Sequence, residues 1–230
     1  MKLLKKWSKA LRSRKGYTLI EVAAVVAVTA TLGAVVIPIV IDKAQEAKVV
    51  AAREGTKAIG LAITAFYKDT GHWPAAGSGS GSGTAFYNVL RSGGESGSLG
   101  VATHDPRNAS SVWSGTGVVT TNVDNLDNHL VRDNPGGTYA DTTAQNNTYL
   151  NSLKLNWKGP YAESFGRADP LGNNYLVYVT AMRTPSTGVT KQYGWIISAG
   201  PNAALETKVT DSALKGDDIG YALYSAETGR

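Results

Sequence analysis

Residues 22–41 form an apolar run of 20 residues, with no charge between Glu21 and Asp42. At about 1.5 Å of rise per residue, a helix of this length is about 30 Å long, the thickness of a bilayer's hydrocarbon core. The run predicts a membrane-spanning helix. Helical periodicity persists beyond it. Asp42, Lys43, Glu46, Lys48, Arg53, Glu54 and Lys57 supply a polar surface, while Ile59, Ala62, Ile63 and Phe66 recur at helical spacing and need a partner for their apolar face. The helix is expected to end at Asp69-Thr70-Gly71, where a left-handed Gly suits the C′ position and Pro74 soon afterwards blocks continuation. Pro38 predicts a kink, with Gly33 about one turn earlier.

Residues 71–160 differ in character, since 43 of the 90 are Gly, Ser, Thr or Asn. Short apolar pieces at 85–90, 118–119 and 149–155 imply irregular structure with a few small elements, expected as a surface-facing insertion. Within it, Ser78-Gly79-Ser80-Gly81-Ser82-Gly83 is a flexible segment and not a phosphate cradle, because no Lys-Ser or Lys-Thr follows and no strand leads into a helix around it. Regular patterning returns at 175–180 and 193–198, two β-branched and aromatic runs that predict an antiparallel hairpin, with a third strand at 221–224. Packing this sheet on the face formed by Ile59, Ala62, Ile63 and Phe66 gives two layers around one core, an α+β fold.

The chain has 230 residues and a net charge of +5, with a sequence pI near 9.3. Such a charge ordinarily points to nucleic acid or an anionic membrane. Its position removes that inference. Lys2, Lys5, Lys6, Lys9, Arg12, Arg14 and Lys15 contribute seven positive charges before Gly16, and the remaining 214 residues carry −2. The basic segment instead orients the span with its N-terminus in the cytoplasm. No nucleic-acid partner is expected. A secretory signal peptide fits poorly, because its apolar region is only about 7–15 residues long and ends at a small-residue cleavage site. Glu21, at the edge of the span, is either an interfacial residue among head groups or a functional one.

The basic leader ending in Gly16, the aromatic Tyr17, then Thr18-Leu19-Ile20-Glu21 and a long apolar helix resemble the class III signal of type IV pilins and type II secretion pseudopilins. The resemblance covers about the first 40 residues. It implies that a prepilin peptidase cuts after Gly16 on the cytoplasmic side and methylates the new N-terminus, Tyr17. Glu21 then falls at the fifth residue after the cut and Pro38 at the twenty-second, both as in the family. Beside a neighbour's N-terminal amine, Glu21 would exchange an isolated charge for a charge-assisted pair in a low-dielectric filament core. The resemblance also implies a pilin-like αβ-roll, in which the long helix packs by its C-terminal half on a small antiparallel β-sheet, and it places possible unwinding at residues 33–38.

A second set of motifs, Trp157-Lys158-Gly159-Pro160-Tyr161, Asp169-Pro170-Leu171-Gly172-Asn173-Asn174-Tyr175, Ser198-Ala199-Gly200-Pro201-Asn202 and Asp217-Asp218-Ile219-Gly220, is similar in order to the C-terminal half of the major pseudopilin (G-type). That family binds structural Ca²⁺ in the loop after its second sheet strand. Hard oxygen ligands suit this ion. The corresponding loop is 200–218, with Asn202, Asp211, Asp217 and Asp218. Asn202 stands where Asp is common, which lowers the expected affinity; the alternative is that Asp217 and Asp218 are turn or cap residues with no ion.

The resemblance divides the chain into a cleaved basic leader (1–16), a transmembrane and polymerisation helix (17–41), an amphipathic helix of the globular domain (42–71), a Gly/Ser/Asn-rich insertion (72–160) and an antiparallel sheet with a C-terminal loop (161–230). It implies a precursor that crosses the bacterial inner membrane once, with homopolymerisation, an assembly platform and minor pseudopilins as partners, and a periplasmic or extracellular filament serving protein secretion. A type IV pilin of a surface pilus, major or minor and adhesive, is the alternative.

An enzyme is not expected. His72, His104 and His129 lack metal-ligand spacing, no Gly-x-Ser-x-Gly elbow occurs, and the absence of Cys removes thiolate chemistry. Asp124-Asn125-Leu126-Asp127-Asn128 lacks the Gly and terminal Glu of a calcium loop and is expected as a solvated Asx-rich turn. Trp113, Trp157 and Trp195 are expected in the core in preference to a sugar-binding surface. Asn108-Ala109-Ser110 and Asn146-Asn147-Thr148 are formal glycosylation acceptors.

Overall fold

The computed structural model describes residues 16–75, 87–93, 97–98, 121–135, 156–166, 168–183 and 191–227. The chain forms two compact units, Met1–Glu46 and Ala47–Arg230, and helix α1, Leu19–Thr70, contributes to both.

In the first unit, α1 is long and apolar enough to cross a membrane, and none of its most apolar stretch is buried within the chain. Two hydroxyls in this stretch are satisfied by the helix itself: Thr29 Oγ1 donates to the Val25 carbonyl at 2.9 Å and Thr31 Oγ1 to that of Val28 at 2.9 Å. Such back-bonding removes the cost of a bare hydroxyl in an apolar medium. The α-helix is unbroken through Gly33 and Pro38. Pro38 supplies no N–H to the carbonyl four residues earlier but does not end the element.

In the second unit, α1 ends at Thr70 as expected. Gly71 has φ 68° and donates its N–H to the Tyr67 carbonyl at 2.8 Å. The face carrying Ile59, Ala62, Ile63 and Phe66 is buried against a mixed sheet. Its strands are β1 (Val89–Arg91), β2 (Gly97–Ser98), β3 (Thr121–Asn125), β4 (Leu176–Tyr178), β5 (Lys191–Ser198) and β6 (Ile219–Glu227), in the order β2-β3-β1-β4-β5-β6. Two short helices, α2 (Leu126–Leu130) and α3 (Thr180–Arg183), follow β3 and β4.

The C-terminal strands match expectation. β4 pairs antiparallel with β5 (Leu176 opposite Ile197), and β5 pairs antiparallel with β6 (Ser198 opposite Ile219). The sheet as a whole is not antiparallel, however: β1 runs parallel to β3, with Val89 opposite Val123. The region expected to be an insertion supplies β1, β2, β3 and α2, and β1 pairs directly with β4. Residues 78–83, 118–119 and 149–155, with Trp113, His104, Asn108 and Asn146, lie outside the described residues.

The single expected core is two. Alternation along the strands sends Leu90, Val177, Val179 and Ile196 to the α1 face, and Val89, Leu176, Tyr178 and Ile197 to the other. Leu205 and Val209, from the loop after β5, bury the second face together with Ala181. Strands covered on both sides have continuous apolar sequence, which is why β4 is simply Leu-Val-Tyr.

Candidate functional site

The helix start is built from Thr18-Leu19-Ile20-Glu21. The Thr18 N–H and hydroxyl both donate to Glu21 Oε2, at 2.8 and 2.9 Å, while the Glu21 N–H donates to Thr18 Oγ1 at 3.3 Å. This is a reciprocal capping box, with Thr18 as N-cap and Glu21 at the third helical position. The carboxylate also sits at the positive end of the helix dipole. The Thr-x-x-Glu spacing is itself the sequence signal for the box. Gly16 and Tyr17 precede the first helical turn in exposed, non-helical backbone, with Tyr17 86% exposed. The candidate scissile bond therefore lies outside the helix, one residue before the N-cap. Pro38 is four turns or more away on the exposed helix and does not join this group.

The acidic loop between β5 and β6 is closed by its own side chains. Asp218 Oδ2 accepts the N–H groups of Glu206 at 2.9 Å and Thr207 at 2.7 Å. Asp217 Oδ2 accepts the Asn202 N–H at 2.8 Å, and Asn202 Oδ1 accepts the Ala204 N–H at 2.6 Å. Asp211 stands apart, accepting the Lys208 N–H at 2.8 Å. Burial pushes the Asp218 carboxyl above the usual carboxylate range, and the nearby Glu206 charge adds to this, against the hydrogen bonds from Thr207 and Glu206. Glu206, absent from the sequence-based set, also accepts the Asp217 N–H at 3.3 Å.

A hard cation fits this donor set in one specific respect. Oδ1 of Asp217 and Oδ1 of Asp218 are buried without a hydrogen-bond partner, and Asp218 is 7% exposed. Two such carboxylate oxygens suit Ca²⁺, which takes its remaining ligands from backbone carbonyls and water. Among the described residues no group of three His, Asp or Glu side chains is placed to hold a metal. The side-chain oxygen of Asn202 is engaged in closing a turn with the Ala204 N–H.

The motifs of the second resemblance meet near this loop. Asp169 Oδ1 accepts the N–H groups of Leu171 at 2.8 Å and Asn173 at 2.9 Å, its Oδ2 accepts the Ser198 hydroxyl, and Asn173 Nδ2 donates to the Gly200 carbonyl at 2.6 Å. The Trp157-to-Tyr161 motif is elsewhere: the Tyr161 hydroxyl donates to Asp69 Oδ2 at 3.2 Å, and Lys158 Nζ lies 3.5 Å from Asp69 Oδ1.

The residues 124–128, expected as a solvated turn, are instead buried. Asp124 and His129 are both 0% exposed, with Asp124 Oδ2 2.9 Å from His129 Nε2. Asp124 Oδ1 accepts the Asn125 N–H and Asn128 Nδ2, each at 2.7 Å. Asn125 caps α2 by accepting the Asp127 N–H, and Asp127 accepts from Ser164 Oγ at 2.8 Å and the Phe165 N–H at 3.0 Å. The acidic and amide side chains here organise a core, each buried polar atom of Asp124 being answered by a donor. Trp195 is buried, and Trp157 packs on the α1-side core.

Compared with known proteins, the chain matches no family model, no curated protein and no solved structure.

Proposed function

We propose that this chain is a structural subunit of a type II secretion pseudopilus, polymerising through its N-terminal helix into a filament that acts in protein secretion. The observation that carries this reading is the arrangement at the helix start: an exposed Gly16-Tyr17 bond, a Glu21 carboxylate in the first turn, and an exposed apolar helix continuing from it. In this reading a prepilin peptidase removes the basic leader and methylates Tyr17. The subunit waits in the inner membrane with its N-terminus cytoplasmic, and Glu21 receives a neighbour's terminal amine as the subunit enters the filament with the help of an assembly platform and minor pseudopilins. The resemblance of the 157–161, 169–175, 198–202 and 217–220 motifs to the major pseudopilin favours that reading over a surface type IV pilin.

Glu21→Ala and Glu21→Leu test the reading. Both precursors are expected to insert and to be processed normally, while sheared filaments disappear; normal filament yield from either variant would overturn it.

The same reading gives the acidic loop a structural Ca²⁺. Asp217 and Asp218 would supply carboxylate oxygens, and the ion would neutralise charge that burial makes costly at Asp218.

A further inference from the structure

We infer that Asn173 is a positioning residue for the cation loop, acting through Gly200; this rests on the calcium reading above. Asn173 belongs to a different turn from the loop's acidic residues, yet it is 7% exposed and tightly fixed. Asp169 holds it from both sides, accepting the Asn173 N–H on Oδ1 and donating its own N–H to the Asn173 carbonyl at 2.7 Å. The hydroxyl of Ser198 in turn fixes the second oxygen of Asp169. Asn173 thus presents its amide from the turn leading into β4 to the backbone just after β5.

The recipient is the carbonyl of Gly200, which accepts Asn173 Nδ2 at 2.6 Å and the Ala203 N–H at 3.3 Å. These two bonds define the turn 200–203, in which Gly200 has φ 66° and Ala203 φ 56°. Position 200 admits no side chain, because a Cβ at Gly200 would overlap the Asp217 carbonyl. From it the Asn202 N–H reaches Asp217 Oδ2 at 2.8 Å. One oxygen of Asp217 is consumed and the other, Oδ1, remains buried without a partner, as does Oδ1 of Asp218. Asn173 therefore acts at one remove, through the Gly200 carbonyl, on the turn whose Asn202 N–H engages one oxygen of Asp217 and leaves the other for an ion. Groups that orient metal ligands typically change affinity by about 10–100-fold when removed.

The test is isothermal titration of Ca²⁺ into the full-length chain in detergent, comparing wild type, Asn173→Ala, Asn173→Ser and Ser164→Ala. Asn173→Ser keeps a turn-forming side chain too short to reach Gly200, and it guards against a folding failure of the alanine variant. Ser164→Ala removes a hydrogen bond to Asp127, away from the loop, and controls for general destabilisation. Wild-type binding with about tenfold or greater weakening in the Asn173 variants, and none in Ser164→Ala, supports the inference. Wild-type affinity in a folded Asn173 variant overturns the positioning role and leaves the calcium reading intact. No Ca²⁺ binding by wild type overturns both.

Discussion

The hydroxyl of Tyr221, on β6, occupies the space that a side chain at Gly60 of α1 would need. Gly55 stands in the same relation to Tyr175, so two glycines on one helix receive two tyrosines from the sheet side. Gly60→Ala gains about 1 kcal/mol of helix propensity, but it forces the half-buried ring of Tyr221 away from the helix face on which it packs. A net loss of roughly 1–3 kcal/mol is expected, read as a lower denaturation midpoint. Adding Tyr221→Phe, which deletes the colliding oxygen, should return part of that loss.

The capping box predicts that Thr18 and Glu21 act together. Thr18→Ala removes both the hydroxyl that caps the helix and one donor that holds the carboxylate; under the proposed pseudopilin function, filament yield should fall, whereas Thr18→Ser should preserve it. Quantitative immunoblots of sheared fractions and of processed subunit separate assembly from processing. Equal yields from the alanine and serine variants would remove the hydroxyl from the account.

Asp124→Ala leaves His129 and Asn128 buried without their shared acceptor. Leaving a buried donor unsatisfied costs about 1–3 kcal/mol, and chemical denaturation should show the loss. Asp124→Asn retains an acceptor for the Asn125 N–H and should cost clearly less. If the two variants are equally destabilised, charge and not hydrogen bonding dominates at this position.

Tyr175 supplies a pH dependence. Burial, and secondarily the charge of Asp169, pushes its phenol from 10.0 up to about 12. The folded state thus holds this proton more tightly than the unfolded state, so the stabilisation is complete below pH 10 and is lost as pH rises through about 12. Denaturation midpoints between pH 9 and pH 12 should fall less steeply in Tyr175→Phe than in wild type. Parallel slopes would contradict the assignment.

The extent of α1 is legible because it is written in long-range periodicity, and its stop is written in Gly71. β5 is legible from Tyr193, Trp195, Ile196 and Ile197, and β6 from Tyr221 and Tyr224, although both strands run beyond the expected 193–198 and 221–224. β1 is not, since three residues carry no measurable period, and its parallel partner β3 is Thr-Asn-Val-Asp-Asn, a composition that ordinarily marks a turn. Asp124 and His129 escape for a related reason. A polar residue satisfied by other side chains and one satisfied by water look identical in sequence, and the difference lies in Asn128 and Trp157, the latter donating from a distant segment to the His129 carbonyl at 3.1 Å. The Thr18-x-x-Glu21 box is readable from spacing alone, but its local role is easily eclipsed by the longer-range role that Glu21 suggests. At the acidic loop, Asp217 and Asp218 are visible as a pair, while Asn173 gains its meaning from a contact 27 positions along the chain.

Tyr161 gives its hydroxyl to Asp69 in the last turn of α1 and its N–H to the Leu130 carbonyl at the end of α2, 2.8 Å away. One short irregular segment thereby clasps two helix ends. Helix ends normally fray independently, each losing its final amides to solvent first. Here the ends of α1 and α2 share a clasp, so amide exchange at Thr70 and Gly71 should rise and fall with that at Val131, and release of Tyr161 is expected to open both.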